Sequence, residues 1–235
     1  MMKILNWIWA SLVECVAFLV VILALPLRYF KAYQQPAGNS AGRPILLVPG
    51  YVNDSSVWFY QRWKLQKAGL GPIYTLNYGH PFRSIHHYAQ KVKEKAEQIA
   101  RETGRDDLIL IGHSMGGLVA AVYATQLAPS GKVTDLITIA TPFKGTIMAH
   151  LGLGPNAREM RPNSSLLKEL ELSKALPFRF YQIATKTDGL VRPNSALVGH
   201  HPDKQYLLDG IGHASLAYSK KVAEKIVEWL GHVVN

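Results

Sequence analysis

Residues 108–121 read LILIGHSMGGLVAA, and this stretch decides the fold. Four strand-forming residues precede a Gly-x-Ser-x-Gly pentapeptide, and an alanine-rich helical pattern follows it. Glycines on both sides of a serine allow a sharp turn from strand to helix, which leaves the serine hydroxyl standing clear above the sheet. The stretch therefore predicts a strand, a tight turn and a helix, with Ser114 as a nucleophile.

Strands and helices alternate along the rest of the chain. Short β-rich apolar runs predict strands, and longer stretches of helical period predict helices between them. The predicted strands span residues 45–48, 73–77, 108–111, 136–140, 178–184 and 205–208, and the predicted helices span 57–68, 84–103, 115–128, 164–176 and 215–230. This alternation predicts an α/β fold with a mostly parallel sheet of about six strands and helices on both faces.

Several motifs, taken in order, resemble those of the α/β-hydrolase superfamily. They are residues 46–51 (LLVPGY), 112–117 (GHSMGG), 139–146 (IATPFKGT) and 187–191 (TDGLV), with Gly212-His213 near the end. More narrowly, the chain resembles bacterial class 2 lipases and related esterases, including those similar to glycosylphosphatidylinositol inositol-deacylases. The resemblance covers about residues 43–231 and implies cleavage of carboxylic esters. Pro49-Gly50 departs from the family's usual His-Gly dipeptide.

A catalytic serine needs a histidine that accepts its proton and a carboxylate that orients the imidazole. In the hydrolase fold, the acid and then the histidine follow the serine along the chain. His213 is the predicted base, because it lies in a loop after a strand, beside Gly212 and ahead of the last helix. His113 is predicted to support the turn instead. The other histidines after the serine are His150, His200, His201 and His232.

Asp188 is the predicted acid, because it follows the strand at 178–184 and precedes a glycine, which places a carboxylate at the carboxyl edge of the sheet. Asp209, which ends the next strand, is the alternative. The oxyanion that develops during acyl transfer needs two backbone amides. Those of Tyr51, after the first strand, and Met115, after the nucleophile, are the predicted pair.

An apolar segment precedes the predicted domain. Trp7 to Arg28 would cover about 31 Å as a helix, near the thickness of a bilayer core, and Glu14 is expected to protonate or lean toward the headgroups. We favour an uncleaved single-pass anchor over a cleaved signal peptide that leads to secretion, because no clear small-x-small site follows the segment. The side of the membrane is left open. The predicted organisation is an anchor or signal segment at 1–30, a linker at 31–43 and a hydrolase domain at 44–235.

Within the domain, the strand-helix rhythm stops between about 146 and 177. This leucine-rich insertion is predicted to form a short helical cap. It is interpreted either as a mobile lid with an apolar face or as a helix that packs on the core.

The formal net charge of the 235-residue chain is +10, and it favours anionic lipid surfaces. No nucleic-acid motif accompanies it, so nucleic acid is not an expected partner. Cys15 is the sole cysteine, which excludes an intramolecular disulfide. We expect a serine esterase or lipase without metal or cofactor, acting on lipid or other acyl esters at a membrane. Alternatives are a thioesterase or acyltransferase with the same residues, and a catalytically idle scaffold of this fold. The oligomeric state is left open.

Overall fold

A computed structural model describes residues 35–170, 172, 175–199 and 204–231, together with five helical residues of the amino-terminal segment: Trp9, Glu14, Val16, Val20 and Leu23. Most of the predicted anchor at 1–30 lies outside the described residues, as do His200, His201 and His232. Among the described residues, no helix has the length and apolar character that a membrane crossing requires.

Six strands form one sheet in the order β2-β1-β3-β4-β5-β6, and every pairing is parallel. The strands are β1 (Ile45–Val48), β2 (Ile73–Thr75), β3 (Leu108–His113), β4 (Val133–Ile139), β5 (Arg179–Thr185) and β6 (Gln205–Leu208). The predicted six-stranded parallel sheet is confirmed. Because the strand order reverses between β1 and β3, the crevice at their carboxyl ends is the natural place for a ligand.

Helices cover both faces of the sheet. They are α1 (Phe59–Lys67), α2 (Ile85–Thr103), α3 (Met115–Val122), α4 (Gly154–Glu159), α5 (Ser165–Glu169), α6 (Pro193–Ala196) and α7 (Lys220–Gly231). Short 3₁₀ turns span Ser55–Trp58, Ile147–His150 and Ala214–Tyr218, and a π-helical turn, Tyr123–Leu127, continues α3. Ser84 caps α2 by accepting a hydrogen bond from the amide of His87, and Gly104 ends it at φ 68°.

Side chains of alternate strand residues pack into two separate cores, as strand geometry requires. Leu46 of β1 packs on one face with residues of α2 and α3. Leu47 packs on the other face with Trp58 and Ile226 of α7. The sheet is therefore buried from both sides, and only its edges and the loops at its ends can present functional groups.

Two predicted helices differ from the structure. The last one, predicted at 215–230, is interrupted at Ser219, whose backbone is extended at ψ 125°. The hydroxyl of Ser219 accepts a hydrogen bond from the amide of Val222, so this residue starts α7 rather than continuing the preceding turn. The helix predicted at 164–176 ends at Glu169, and Leu170 has a non-helical ψ of 80°.

The insertion at 146–177 divides into an exposed part and a packed part. Leu166 and Leu170 are buried in the core with Phe178, so α5 packs on the domain. By contrast, Ile147, Leu151 and Leu153 are 67%, 79% and 66% exposed. A mobile lid stays a prediction, and the apolar surface available to one lies at 147–153.

Candidate active site

Ser114 stands on a strained turn between β3 and α3. Its backbone has φ 54° and ψ −126°, a combination that residues with a side chain seldom adopt. The amide of Ser114 donates to the carbonyl of Ile139 in β4 at 2.8 Å, which fixes the turn to the neighbouring strand. This is the conformation expected of a nucleophile held above the sheet.

The glycines around Ser114 are required by close backbone contacts. A Cβ atom on Gly112 would lie 2.5 Å from the amide nitrogen of Gly117, and one on Gly116 would lie 2.2 Å from the carbonyl oxygen of Val48. Larger side chains would therefore separate α3 from the end of β1. We call residues 112–117 the nucleophile turn.

The two residues predicted to supply the oxyanion amides lie near Ser114: Met115 follows it directly, and Tyr51 lines the same pocket. Met115 is the first residue of α3, where backbone amides have no acceptor within the helix. Tyr51 follows Gly50, and a Cβ atom on Gly50 would lie 3.3 Å from the Cβ of Ser114. The hydroxyl of Tyr51 donates to the carbonyl of Leu153 at 2.8 Å and accepts from its amide at 2.7 Å, so this loop also holds the insertion.

His213 and Asp188 form a buried pair. The Nδ1 atom of His213 lies 2.8 Å from Oδ2 of Asp188, and both residues are almost fully buried. The other oxygen, Oδ1, accepts from the amides of Leu190 and Val191, each at 2.8 Å. The alternative acid, Asp209, is exposed and accepts from the amide of Gly210. The structure thus brings Asp188, and not Asp209, to His213.

Charges around His213 oppose the effect of its burial. Burial alone lowers the pKa of His213, but the charge and hydrogen bond of Asp188, together with the charge of Glu14, outweigh it and raise this pKa above the ordinary 6.5. Burial and the nearby His213 lower the pKa of His113 to about 3. At neutral pH His113 is therefore uncharged, whereas His213 is suited to exchange a proton.

His113 contacts the histidine loop, which we define as residues 209–215. Its Nε2 atom lies 3.1 Å from the carbonyl oxygen of His213 and must carry the proton, because a carbonyl only accepts. Among the described residues, Nδ1 of His113 has no hydrogen-bond partner, which fits the neutral tautomer. His113 therefore supports the histidine loop, whereas its support of the nucleophile turn stays a prediction.

Sequence reasoning missed three further contacts with the histidine loop. The hydroxyls of Thr185 and Thr187 donate to the carbonyl of Ile211 at 2.9 and 2.8 Å. Glu14 accepts hydrogen bonds from Ala214 and from the residue after it. Two features of the sequence could have indicated these contacts. One is the pair of threonines at and just after the end of a buried strand, and the other is a single carboxylate in an apolar segment.

Ser114 and His213 line one apolar pocket of about 290 Å³. The pocket lies above the carboxyl ends of the strands, since its walls include residues that follow β1, β3, β4 and β5. The apolar lining residues are Met148, Ala149, Leu151, Ala157, Met160, Leu190 and Val191. Larger surface clefts lie along α2, away from both residues. Of the other candidates, His150 is exposed, and its Nδ1 lies 3.0 Å from the carbonyl oxygen of Ile147.

The described residues include no group of three or more His, Cys, Asp or Glu side chains that could hold a metal ion. The side chains of Ser114, His213 and Asp188 are of the types that perform nucleophilic attack and proton transfer.

Two curated proteins are similar to this chain in sequence. The chain is 31% identical over 153 residues to triacylglycerol lipase 2 of Saccharomyces cerevisiae, covering 61% of this chain and 44% of that one. It is 29% identical over 106 residues to lecithin-cholesterol acyltransferase-like 1 of Arabidopsis thaliana, covering 42% and 22%. The chain thus spans less than half the length of these curated relatives.

Solved structures share the fold. Mature lipase BlEst2 of Bacillus licheniformis has a TM-score of 0.66 and 17% identity, covering 84% of this chain and 96% of that one. Lipase B of Aspergillus fumigatus has a TM-score of 0.71 and 20% identity, covering 83% and 54%. The alpha/beta hydrolase family model matches residues 45–222, which confirms the resemblance expected from the ordered motifs. This chain belongs to the alpha/beta hydrolase family.

Proposed function

We propose that this protein is a serine hydrolase of carboxylic esters, with Ser114 as nucleophile, His213 as base and Asp188 as the orienting acid. The observation that carries the proposal is one apolar pocket that contains Ser114, on its strained turn, and a histidine already paired with a carboxylate. A nucleophile, a base and an orienter in chain order are the parts that acyl transfer requires.

The reaction would proceed through an acyl-enzyme. The hydroxyl oxygen of Ser114 attacks the ester carbonyl while Nε2 of His213 accepts its proton, and Asp188 stabilises the imidazolium. The amides of Met115 and Tyr51 donate to the carbonyl oxygen as it becomes negative. The C–O bond then breaks, and His213 returns the proton to the leaving alcohol. Water repeats the sequence on the acyl-enzyme and releases the carboxylic acid.

The lining of the pocket favours substrates with an apolar acyl group. Side chains such as Met148, Met160 and Val191 offer surface that an acyl chain can cover, at about 25 cal/mol per Å² of apolar area removed from water. Lipid acyl esters are therefore the proposed substrate class. The names of the two curated relatives, a triacylglycerol lipase and an acyltransferase-like protein, point the same way.

Acyl transfer is the second candidate, because one relative is named for lecithin-cholesterol acyltransferase. The same acyl-enzyme would then react with an alcohol instead of water. Thioesters would form this acyl-enzyme with the same residues. Hydrolysis assays supplemented with a long-chain alcohol distinguish the outcomes: a hydrolase releases mainly free fatty acid, whereas a transferase makes the new ester.

The test is covalent labelling together with ester hydrolysis. A fluorophosphonate probe should label the protein once, and Ser114→Ala should abolish labelling while Ser130→Ala, on an exposed loop, leaves it intact. Nitrophenyl esters of increasing chain length, with and without micelles, should show faster hydrolysis of longer chains in micelles. A folded protein that neither labels nor hydrolyses any of these esters would be the idle scaffold.

We also propose that the amino-terminal segment holds the protein at a membrane. The proposal rests on the apolar sequence from residue 4 to 27 and on the exposure of Trp9, Val16 and Leu23, which are 61%, 60% and 69% exposed. Spaced seven residues apart, these three side chains would share one face of an amphipathic helix. The expected result is that the full-length protein, with its mass intact, floats together with lipid vesicles in a density gradient. Protein that stays at the bottom of the gradient, or that has lost the segment, would contradict the proposal.

A further inference from the structure

Glu14 of the amino-terminal segment reaches the histidine loop. Its Oε1 atom accepts from the amide of Ala214 at 2.7 Å. Its Oε2 atom accepts from the amide of Ser215 at 3.1 Å and from the hydroxyl of Ser215 at 2.8 Å. One carboxylate therefore takes three hydrogen bonds from the two residues that directly follow His213.

The loop also has room for this carboxylate because residue 212 is glycine. A Cβ atom on Gly212 would lie 2.2 Å from Oε2 of Glu14 and 2.7 Å from its carboxyl carbon. Gly212 is not among the glycines with positive φ, so its backbone conformation does not by itself require glycine. The close approach of Glu14 supplies a separate reason for the small residue.

The three hydrogen bonds satisfy groups that the turn leaves open. Ala214 and Ser215 begin the 3₁₀ turn Ala214–Tyr218, and amides at the start of such a turn have no acceptor within it. A carboxylate is the favoured partner at this end. His113 already holds the carbonyl of His213. With Glu14 in place, the backbone is fixed both at His213 and immediately after it.

We propose that Glu14 is a positioning residue that orders the histidine loop, so that the amino-terminal segment is part of the active-site architecture. This inference rests on the proposed function of His213 as base. Contact of Glu14 with the domain and placement of the base are then one structural event, because the same carboxylate caps the turn after His213. Withdrawal of Glu14 frees two amides beside the base and loosens the histidine loop.

The charge of Glu14 gives this role a distinctive readout. The titratable groups that face His213 are Asp188, His113 and Glu14, and the carboxylates of Asp188 and Glu14 both raise the pKa of His213. His213 must be neutral to act as base, so activity falls as pH drops through its pKa. Removal of the Glu14 charge lowers that pKa and moves the acidic limb of the kcat/KM profile to lower pH. Loss of packing alone would not move it in this direction.

The experiment compares full-length variants in detergent micelles. Glu14→Ala and Glu14→Gln should lower kcat by about tenfold with little change in KM, and shift the acidic limb downward. Glu224→Gln is the matched control, because Glu224 is an exposed carboxylate on α7. Gly212→Ala should reproduce the loss, since its methyl group displaces Glu14, and should add little in the Glu14→Ala background.

Hydrogen exchange of the peptide that contains residues 213–218 supplies a readout independent of catalysis. Glu14→Ala should speed exchange of the Ala214 and Ser215 amides, whereas Glu224→Gln should not. Wild-type exchange, kcat and pH profile in Glu14→Ala would overturn the inference and leave the proposed function standing, as would full additivity with Gly212→Ala. If no form of the protein hydrolyses esters, the proposed function fails, and exchange alone decides whether Glu14 docks on the loop.

Discussion

The nucleophile turn and the histidine loop are assembled in opposite ways. Ser114 stands on a turn whose glycine spacing lies within one short window, residues 112–117, and this turn packs closely on itself and on the end of β1. The histidine loop takes its contacts from distant parts of the chain: Glu14, His113, the threonines at the end of β5, and Asp188. A local steric arrangement can be recognised in sequence, whereas a loop held by distant hydrogen-bond partners cannot.

The largest expected effect comes from removing Ser114 or His213, and it tests whether the nucleophile turn and the histidine loop function as a unit. Ser114→Ala and His213→Ala should each lower kcat by about 10⁶-fold, and the double variant should be no worse than either. The reason is that attack needs both the hydroxyl and its proton acceptor. Ester hydrolysis by purified variants measures this, and multiplied losses in the double variant would mean that the residues act separately.

Replacement of Asp188 tests the contact between the orienting acid and His213. Asp188→Asn should lower kcat by about 10⁴-fold, because an amide favours the wrong tautomer of His213. Asp209→Asn should change kcat less than twofold, since Asp209 is exposed and accepts a hydrogen bond from the amide of Gly210 instead of orienting His213. If the two variants exchange these effects, the assignment of the acid is wrong.

A side chain added within the nucleophile turn should lower the stability of the protein. Gly116→Ala is expected to lower the free energy of unfolding by about 3 kcal/mol, because its Cβ atom would overlap the carbonyl of Val48. Gly231→Ala is the control, since no atom of the described residues lies within 4 Å of the added atom there. Denaturant unfolding measures both. Equal stabilities would show that the turn relaxes more easily than its contacts imply.

The pH profile of the wild-type protein tests the electrostatics of the histidine loop. Because the pKa of His213 is raised, kcat/KM should fall about tenfold per pH unit below a midpoint above 6.5. His113 titrates near 3, so it adds nothing to this limb. His150→Gln, an exposed control, should leave the midpoint unchanged. A midpoint below 6.5 would show that burial outweighs the two carboxylates.

The smallest expected effect concerns the threonine contacts. Thr185→Val keeps the shape of a fully buried side chain but removes one of two hydroxyls that donate to Ile211. We expect a loss of about 1 kcal/mol in unfolding free energy, measured by denaturant titration. An unchanged stability would indicate that Thr187 alone holds the carbonyl.

Much of the fold was predictable because its signals are local. The strands at 45–48 and 205–208 were predicted to the residue, since short apolar runs between polar turns define them. The break at Ser219 was not, because a serine that caps a helix and a serine within a helix look alike when the apolar period continues. The tertiary contacts of Leu166 and Leu170 were similarly hidden in a pattern that suits either a lid or a core helix.

The candidate site divides along the same line. Residues 112–117 can be identified in the sequence by their glycine spacing, and Asp188 by its position after a predicted strand. The contact between Glu14 and the histidine loop spans some 200 positions, so no window of sequence contains it. Sequence reasoning placed Glu14 only within an apolar segment, where it stood out as an anomaly without a partner.

The most direct test of the central claim is a crystal structure of the protein after reaction with a phosphonate ester. The account predicts a phosphorus atom bound to the Ser114 oxygen and a phosphonyl oxygen about 3 Å from the amides of Met115 and Tyr51. It also predicts that Nε2 of His213 lies within hydrogen-bonding distance of the Ser114 oxygen. An adduct on another residue, or an adduct on Ser114 with His213 turned away from it, would contradict the account.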